Sequence, residues 1–223
     1  AVLSGWHSRG YLPHLKAEGG IYFVTFRLAD TLPQKVLQAF HDERDDILRR
    51  AKQAGRELSP AELKRIRELF SEKIESYLNA GHGQCWLKHP SIAKMVMEAL
   101  RYYDGERYTL YAFVVMPNHV HALVRPHEGF TLSQILHTWK SFTAHEVQKI
   151  AEATGLAIPK GEAFWQRESY DHLVRDEEDF VRIVEYILQN PVKAGLCEKP
   201  EDWPYVGLAE PSACTAAVPA ARG

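Results

Sequence analysis

Two histidines one residue apart, His119-Val120-His121, and a tyrosine one helical turn before an asparagine, Tyr186 and Asn190, have the types and spacing for chemistry. In a strand, residues two apart project from the same face. His119 and His121 would then stand side by side, and two neutral imidazoles can bind one divalent cation. The same spacing fits two hydrogen-bonded histidines on an edge strand, because His-X-His is a short signature. Tyr186 falls off the centre of an apolar stripe formed by Phe180, Ile183, Val184, Ile187 and Leu188. Asn190 follows on the same edge, with Asp179 and Arg182 nearby. A phenol and an amide there can be packed side chains with wet polar tips. They can equally be a nucleophile and a ligand aimed into a cleft, the phenol needing activation because its free pKa is ~10.

The elements that must position these groups are legible in outline. Ile21 to Leu28 is rich in β-branched and aromatic residues and predicts a strand. Val36, Leu37, Phe40, Ile47, Leu48 and Ala51 recur at helical spacing, as do Leu63, Ile66, Phe70, Ile74 and Tyr77. Nine basic and nine acidic residues between Asp42 and Glu75 suggest a solvated helical hairpin inserted at 34–80. Ser91 to Tyr103 predicts an amphipathic helix, and Tyr108 to Met116 a buried strand. Pro117-Asn118 is a turn signal, so His119 to Val124 pairs with that strand as a hairpin. Thr131 to Ala153 predicts a long helix with Leu132, Ile135, Leu136, Trp139 and Phe142 inward. A strand is expected within Phe164 to Arg175. The last helix runs from Asp176 to Asn190, where Pro191 stops it.

This order gives an α+β fold, a ferredoxin-like (RRM-like) antiparallel sheet with helices on one face. Residues 1–19 are expected to be irregular, 20–206 to form the domain and 207–223 to be a disordered tail. The 223 residues carry a net charge of −2, so any nucleic-acid site must be a local basic patch. The three cysteines, an odd count without metal-ligand spacing, and the lack of a long apolar run point to a soluble cytoplasmic protein.

Four segments change the weight of these readings when taken together. They are Val-Val-Met-Pro-Asn-His-Val-His at 114–121, Phe-Trp-Gln at 164–166, Tyr-Asp-His-Leu-Val-Arg-Asp at 170–176 and Tyr-Ile-Leu-Gln-Asn-Pro-Val-Lys-Ala-Gly-Leu at 186–196. In combination the sequence resembles the REP-associated tyrosine transposases, of the single-tyrosine HUH endonuclease superfamily. The resemblance covers roughly residues 20–32 and 85–206. One departure is Phe23, where many members carry a histidine.

The resemblance implies a bacterial, nucleoid-associated enzyme, a monomer or homodimer, acting on single-stranded or hairpin DNA. His119 and His121 would be metal ligands and Tyr186 the nucleophile. Asn190 would be a third ligand, with Gln189 as competitor. The metal implied is Mg2+ or Mn2+, although histidine ligands suit manganese or zinc better than magnesium. Cleavage would leave a 5′-phosphotyrosine and a free 3′-hydroxyl. Lys140, Arg167, Arg175, Arg182 and Lys193 are candidate phosphate contacts, and Trp165, Trp139 and Tyr170 candidate stacking surfaces. The alternative is a domesticated, non-cleaving binder of DNA hairpins.

Overall fold

The computed structural model describes residues 6–8, 13–15, 19–32, 34–63, 65–66, 77–78 and 80–209. Strands β1 (Trp6–Ser8) and β2 (Pro13–Leu15) form a two-stranded antiparallel ladder within the segment expected to be irregular. The main sheet has β3 (Tyr22–Arg27), β4 (Tyr108–Val115), β5 (His119–Pro126), β6 (Tyr170–Leu173) and β7 (Val206–Leu208). Its order is β6-β3-β5-β4-β7, with every neighbouring pair antiparallel. The first four strands have the ferredoxin-like arrangement, and β7 extends it at the β4 edge. Gly207 and Leu208, expected to belong to the tail, are in the sheet; the rest of that expectation, 210–223, lies outside the described residues.

The helices are α1 (Gln34–Gln53), α2 (Pro90–Arg101), α3 (Leu132–Thr154) and α4 (Glu177–Lys193). Residues 60–63 and 65–66 are also helical; the rest of the expected second arm of the hairpin, 67–76, lies outside the described residues. Proline at the first position starts α2. A capping box between Thr131 and Gln134 starts α3, and Gly155 ends it at φ 74°. Asp176 caps α4 by accepting from Asp179 N–H, and Glu177, Glu178 and Asp179 complement the helix dipole.

Both sheet faces are covered, which is why β4 and β5 read as nearly continuous apolar runs. One face carries the larger core, in which Tyr22, Val24, Phe26, Val120, Ala122 and Val124 meet Ile92, Val96, Ile135 and Trp139 of α2 and α3. The other face carries a second core, in which Tyr111, Val114 and Leu123 meet Phe180, Ile183 and Ile187 of α4. The expectation of helices on one face thus holds for α2 and α3, while α4 takes the opposite side. A bulge between Leu110 and Ala112 turns Tyr111 into that second core, where its ring lies 5.3 Å from Phe180.

Two details depart from the sequence reading. Pro191 does not stop α4, because it lies in the last turn and the Ala194 N–H still reaches the Asn190 carbonyl. Phe142 points outward at 51% exposure.

Gly207 pairs with Phe113, and a Cβ there would lie 2.2 Å from the Phe113 ring. Gly207→Ala is expected to displace β7 and lower stability by about 1–3 kcal/mol. Urea denaturation of the variant checks this.

Candidate active site

His119 and His121 lie on β5 and point to the α4 side, as the period of two requires. They are 0% and 2% exposed. Their Nε2 atoms are 3.1 Å apart. What each nitrogen carries follows from its other partner. Asn118 Nδ2 donates to the carbonyls of Leu78, at 3.1 Å, and His82, at 3.0 Å. Its Oδ1 is therefore the acceptor for His119 Nδ1, 2.7 Å away. This fixes the His119 proton on Nδ1 and leaves Nε2 bare.

His121 Nδ1 is 2.7 Å from Thr25 Oγ1, a hydroxyl that can donate or accept. If Thr25 accepts, two bare nitrogens face each other across 3.1 Å, an arrangement only a cation makes favourable. If Thr25 donates, His121 Nε2–H bonds to His119. Burial, the neighbouring His121 and the Arg27 charge hold His119 well below the usual histidine range. Burial alone lowers His121 to about 3. Both rings are neutral at neutral pH, as metal ligands must be.

Tyr186 approaches from α4. Its hydroxyl is 3.4 Å from His121 Nε2 and its ring centroid 5.3 Å from the imidazole. Phe23, where the resemblance would expect a histidine, packs between strand and helix. It stacks on His121 at 5.3 Å and meets the Tyr186 ring edge-on at 5.7 Å. Lys193 Nζ lies 5.2 Å from the Tyr186 ring centroid on the same helix.

Asn190 is fully buried, and neither of its amide atoms has a hydrogen-bond partner. Gln189 is exposed, so of the two it is Asn190 that turns inward. Its level along the sheet follows from two contacts. Phe180 meets Tyr111 and Tyr186 meets His121, so α4 runs in the direction of β4. Four residues further along a helix is ~6 Å. Two residues from His121 to His119 is ~6.6 Å. Ideal geometry therefore puts Asn190 near the level of His119.

Two imidazoles and an orphaned amide fit a divalent cation. Metal–nitrogen bonds of about 2.0–2.1 Å set neighbouring ligand nitrogens about 3 Å apart. A buried amide without partners is costly unless something satisfies it. Among the described residues no group of three or more His, Cys, Asp or Glu side chains gathers as a metal site; the donor set here is of a different kind.

The remaining expected site residues divide. Trp165 is 5% exposed, and its indole N–H donates to Thr143 Oγ1 at 2.8 Å. It is a core residue and has no free face for a base. Trp139 is likewise buried, bonded to the Tyr108 hydroxyl. Lys140 Nζ donates to the Arg167 carbonyl at 3.0 Å and Ser169 Oγ at 2.9 Å, and burial lowers it to about 8. Arg167 is exposed. Arg175 is exposed and lies 3.6 Å from buried Asp179, which also binds His172 at 2.8 Å and Arg182. Asp179 so ties the start of α4 to β6. Burial raises its carboxyl and the His172 and Arg182 bonds more than offset this, leaving it at about 2.

The sequence reading missed Thr25 and Asn118, which orient the histidines, and Arg27, which pairs across the sheet with His119. Strand alternation alone could have placed Thr25 and Arg27 on the histidine face, given the register.

Acid should weaken the metal-free fold through the histidines. The unfolded chain takes their protons near pH ~6.5, whereas folded His121 resists down to about 3. The unfolded state then binds more protons, so stability is full above ~6.5 and falls below it by up to about 1.4 kcal/mol per pH unit per histidine. Asp179 adds its loss only in the lower window, as pH falls through the ordinary carboxylate range toward about 2. Denaturation between neutral pH and pH ~5 checks this: a His119→Gln, His121→Gln double variant should show a flatter pH slope than the parent.

Comparison with known proteins shows what the chain is similar to. Residues 87–190 match the family model described as "Transposase IS200 like". The REP-associated tyrosine transposase of Escherichia coli (strain K12) is 32% identical over 95 residues, 42% of this chain and 50% of that one. A Haemophilus influenzae protein carrying the same family name is 31% identical over 97 residues, 42% of this chain and 55% of that one. The chain spans about half the length of the curated relatives it matches. A solved structure of a REP-associated tyrosine transposase bound to a REP hairpin aligns with 91% of this chain and 81% of that one, at 18% identity and a TM-score of 0.48. Residues 87–190, which contain both histidines, Tyr186 and Asn190, thus match the IS200-like transposase family model, and the chain is similar to the REP-associated tyrosine transposases.

Proposed function

We propose that this chain is a metal-dependent single-stranded DNA endonuclease and strand transferase that uses Tyr186 as its nucleophile, with hairpin-forming repeats as its target. The observation that carries this reading is the approach of the Tyr186 hydroxyl to within 3.4 Å of His121 Nε2, beside the His119 nitrogen. A phenol and two imidazoles meet on one face of the sheet, and a buried amide follows one turn along the same helix, inside the segment that matches the family model.

His119, His121 and Asn190 would hold Mg2+ or Mn2+. When bound, such a cation supplies Lewis-acid neutralisation of the scissile phosphate and fixes its orientation. The chain's own groups do the rest. The Tyr186 oxygen attacks phosphorus; the Tyr–O–P bond forms as the P–O3′ bond breaks. The phenol proton leaves to solvent, and the departing 3′ oxygen takes one up. The 5′ side of the strand stays attached to Tyr186. A 3′-hydroxyl can reverse the step on another strand, so no high-energy cofactor is needed. Packing against Phe23 and His121 limits the tyrosine's rotamers and so orients the attack. Lys193 adds positive charge beside the ring, and exposed Arg167 and Arg175 are available to backbone phosphates. Asp179, through His172 and β6, sets the angle at which α4 delivers the tyrosine.

Covalent trapping tests the reading. With Mn2+ or Mg2+ and an oligonucleotide carrying the hairpin and its flanks, the chain should form a denaturation-resistant adduct on the 5′ phosphate. Tyr186→Phe should abolish the adduct and keep DNA affinity within about 3-fold, since the substitution removes a bond made only during reaction. Hairpin binding by the unaltered chain with no adduct in either metal would favour the non-cleaving binder.

A further inference from the structure

Arg27 ends β3 directly opposite His119 in the antiparallel register, so its side chain leaves the sheet on the histidine face. It is 7% exposed. No described residue forms a hydrogen bond or an ion pair with its guanidinium. Burial lowers its pKa to about 10, and Glu168, the nearby carboxylate, offsets part of that without bonding to it. Arg27 thus remains a full cation at neutral pH. A guanidinium has five N–H donors, and a charge this deeply buried without an ion-pair partner costs free energy.

The charges around it do not balance. Arg27 and Lys140 feel each other and share the field of Glu168. Lys140 uses two of its three donors on the Arg167 carbonyl and Ser169 Oγ. Two cations against one carboxylate leave a single positive charge, with Arg27 holding most of the free donors. A phosphodiester carries one negative charge and two non-bridging oxygens, which match a guanidinium fork.

We propose that Arg27 is a phosphate-binding residue that receives one backbone phosphate of the single strand beside the His119, His121 and Asn190 cluster. The proposal rests on the DNA-cleaving reading for its ligand. It adds a contact that lies outside the segment matching the family, on the strand where Phe23 replaces the expected histidine. The same residue contributes to holding His119 neutral.

The test replaces single phosphates of the target oligonucleotide with neutral methylphosphonates, one position at a time. Binding by anisotropy and adduct formation are measured for the unaltered chain, Arg27→Gln and Arg27→Lys. Neutralising one phosphate should weaken binding by the unaltered chain about 10–100-fold, the worth of one or two charge-assisted hydrogen bonds. Arg27→Gln should lose as much on unmodified DNA and be indifferent to that same methylphosphonate. Arg27→Lys, which keeps the charge and loses the fork, should show a smaller loss at the same phosphate. Arg27→Gln should also melt no lower than the unaltered chain, because it removes an unpaired buried charge.

Additive losses at every position, binding by Arg27→Gln equal to the unaltered chain, or a melting temperature several degrees lower would each overturn the assignment. Adduct formation with additive losses removes the Arg27 proposal and leaves the cleaving function. Non-additive binding without any adduct does the reverse.

Discussion

Two imidazole nitrogens held 3.1 Å apart in a nearly water-free interior are the constraint around which this chain is built. Backbone pleat puts the rings on one face, and partners behind them decide what faces forward. Asn118 removes the choice for His119 by using its own N–H groups on two carbonyls. A pair of neutral rings so placed must share either a proton or a cation. The proton alternative leaves the Asn190 amide, one α4 turn past Tyr186, without a partner. On the proposed reading, a cation would satisfy the rings and the amide together.

The fold makes this arrangement rigid by dividing labour between sheet faces. The larger core, with α2 and α3, fixes the strands that carry Thr25, Asn118 and the histidines. Within it Trp139 and Trp165 spend their N–H groups on Tyr108 and Thr143. The smaller core holds α4 across the opposite face and sets the depth of Tyr186. Asn118 links the levels: the amide that orients His119 also holds the chain at Leu78 and His82, where it returns from the long excursion after β3. Asp179 does a similar job for α4, binding His172 of β6 and arginines at both ends of its own first turns. Residues two turns from the tyrosine can thus govern where its hydroxyl sits.

Local patterns in the sequence were enough for the histidine face, the off-centre tyrosine and the choice of an inward position at 190, because each depends on periodicity within one element. The strand order was legible as a fold class. What was hidden depends on contacts between elements far apart in the chain. Thr25 meets His121 across 96 positions. Trp165 looked like a stacking platform, but it is buried with its N–H on Thr143, and nothing in the strand pattern singled out Arg27. The placement of α4 opposite α2 and α3 could not be read from its stripe, since an apolar stripe says that a face is buried and not which sheet face buries it. Pro191 was misread because a proline in a final turn costs a hydrogen bond that the helix end can forgo.

Pulsed electron paramagnetic resonance of the chain loaded with Mn2+ examines the shared-cation claim most directly. Hyperfine couplings from two imidazole nitrogens are expected, one lost in His119→Gln and the other in His121→Gln. Asn190→Ala should weaken Mn2+ binding roughly 10-fold or more while both couplings persist, taking the loss of a polar partner at a metal site as the scale. A spectrum without nitrogen coupling, or one that either histidine substitution leaves unchanged, would mean that the rings share a proton instead, and Tyr186 would then face no metal.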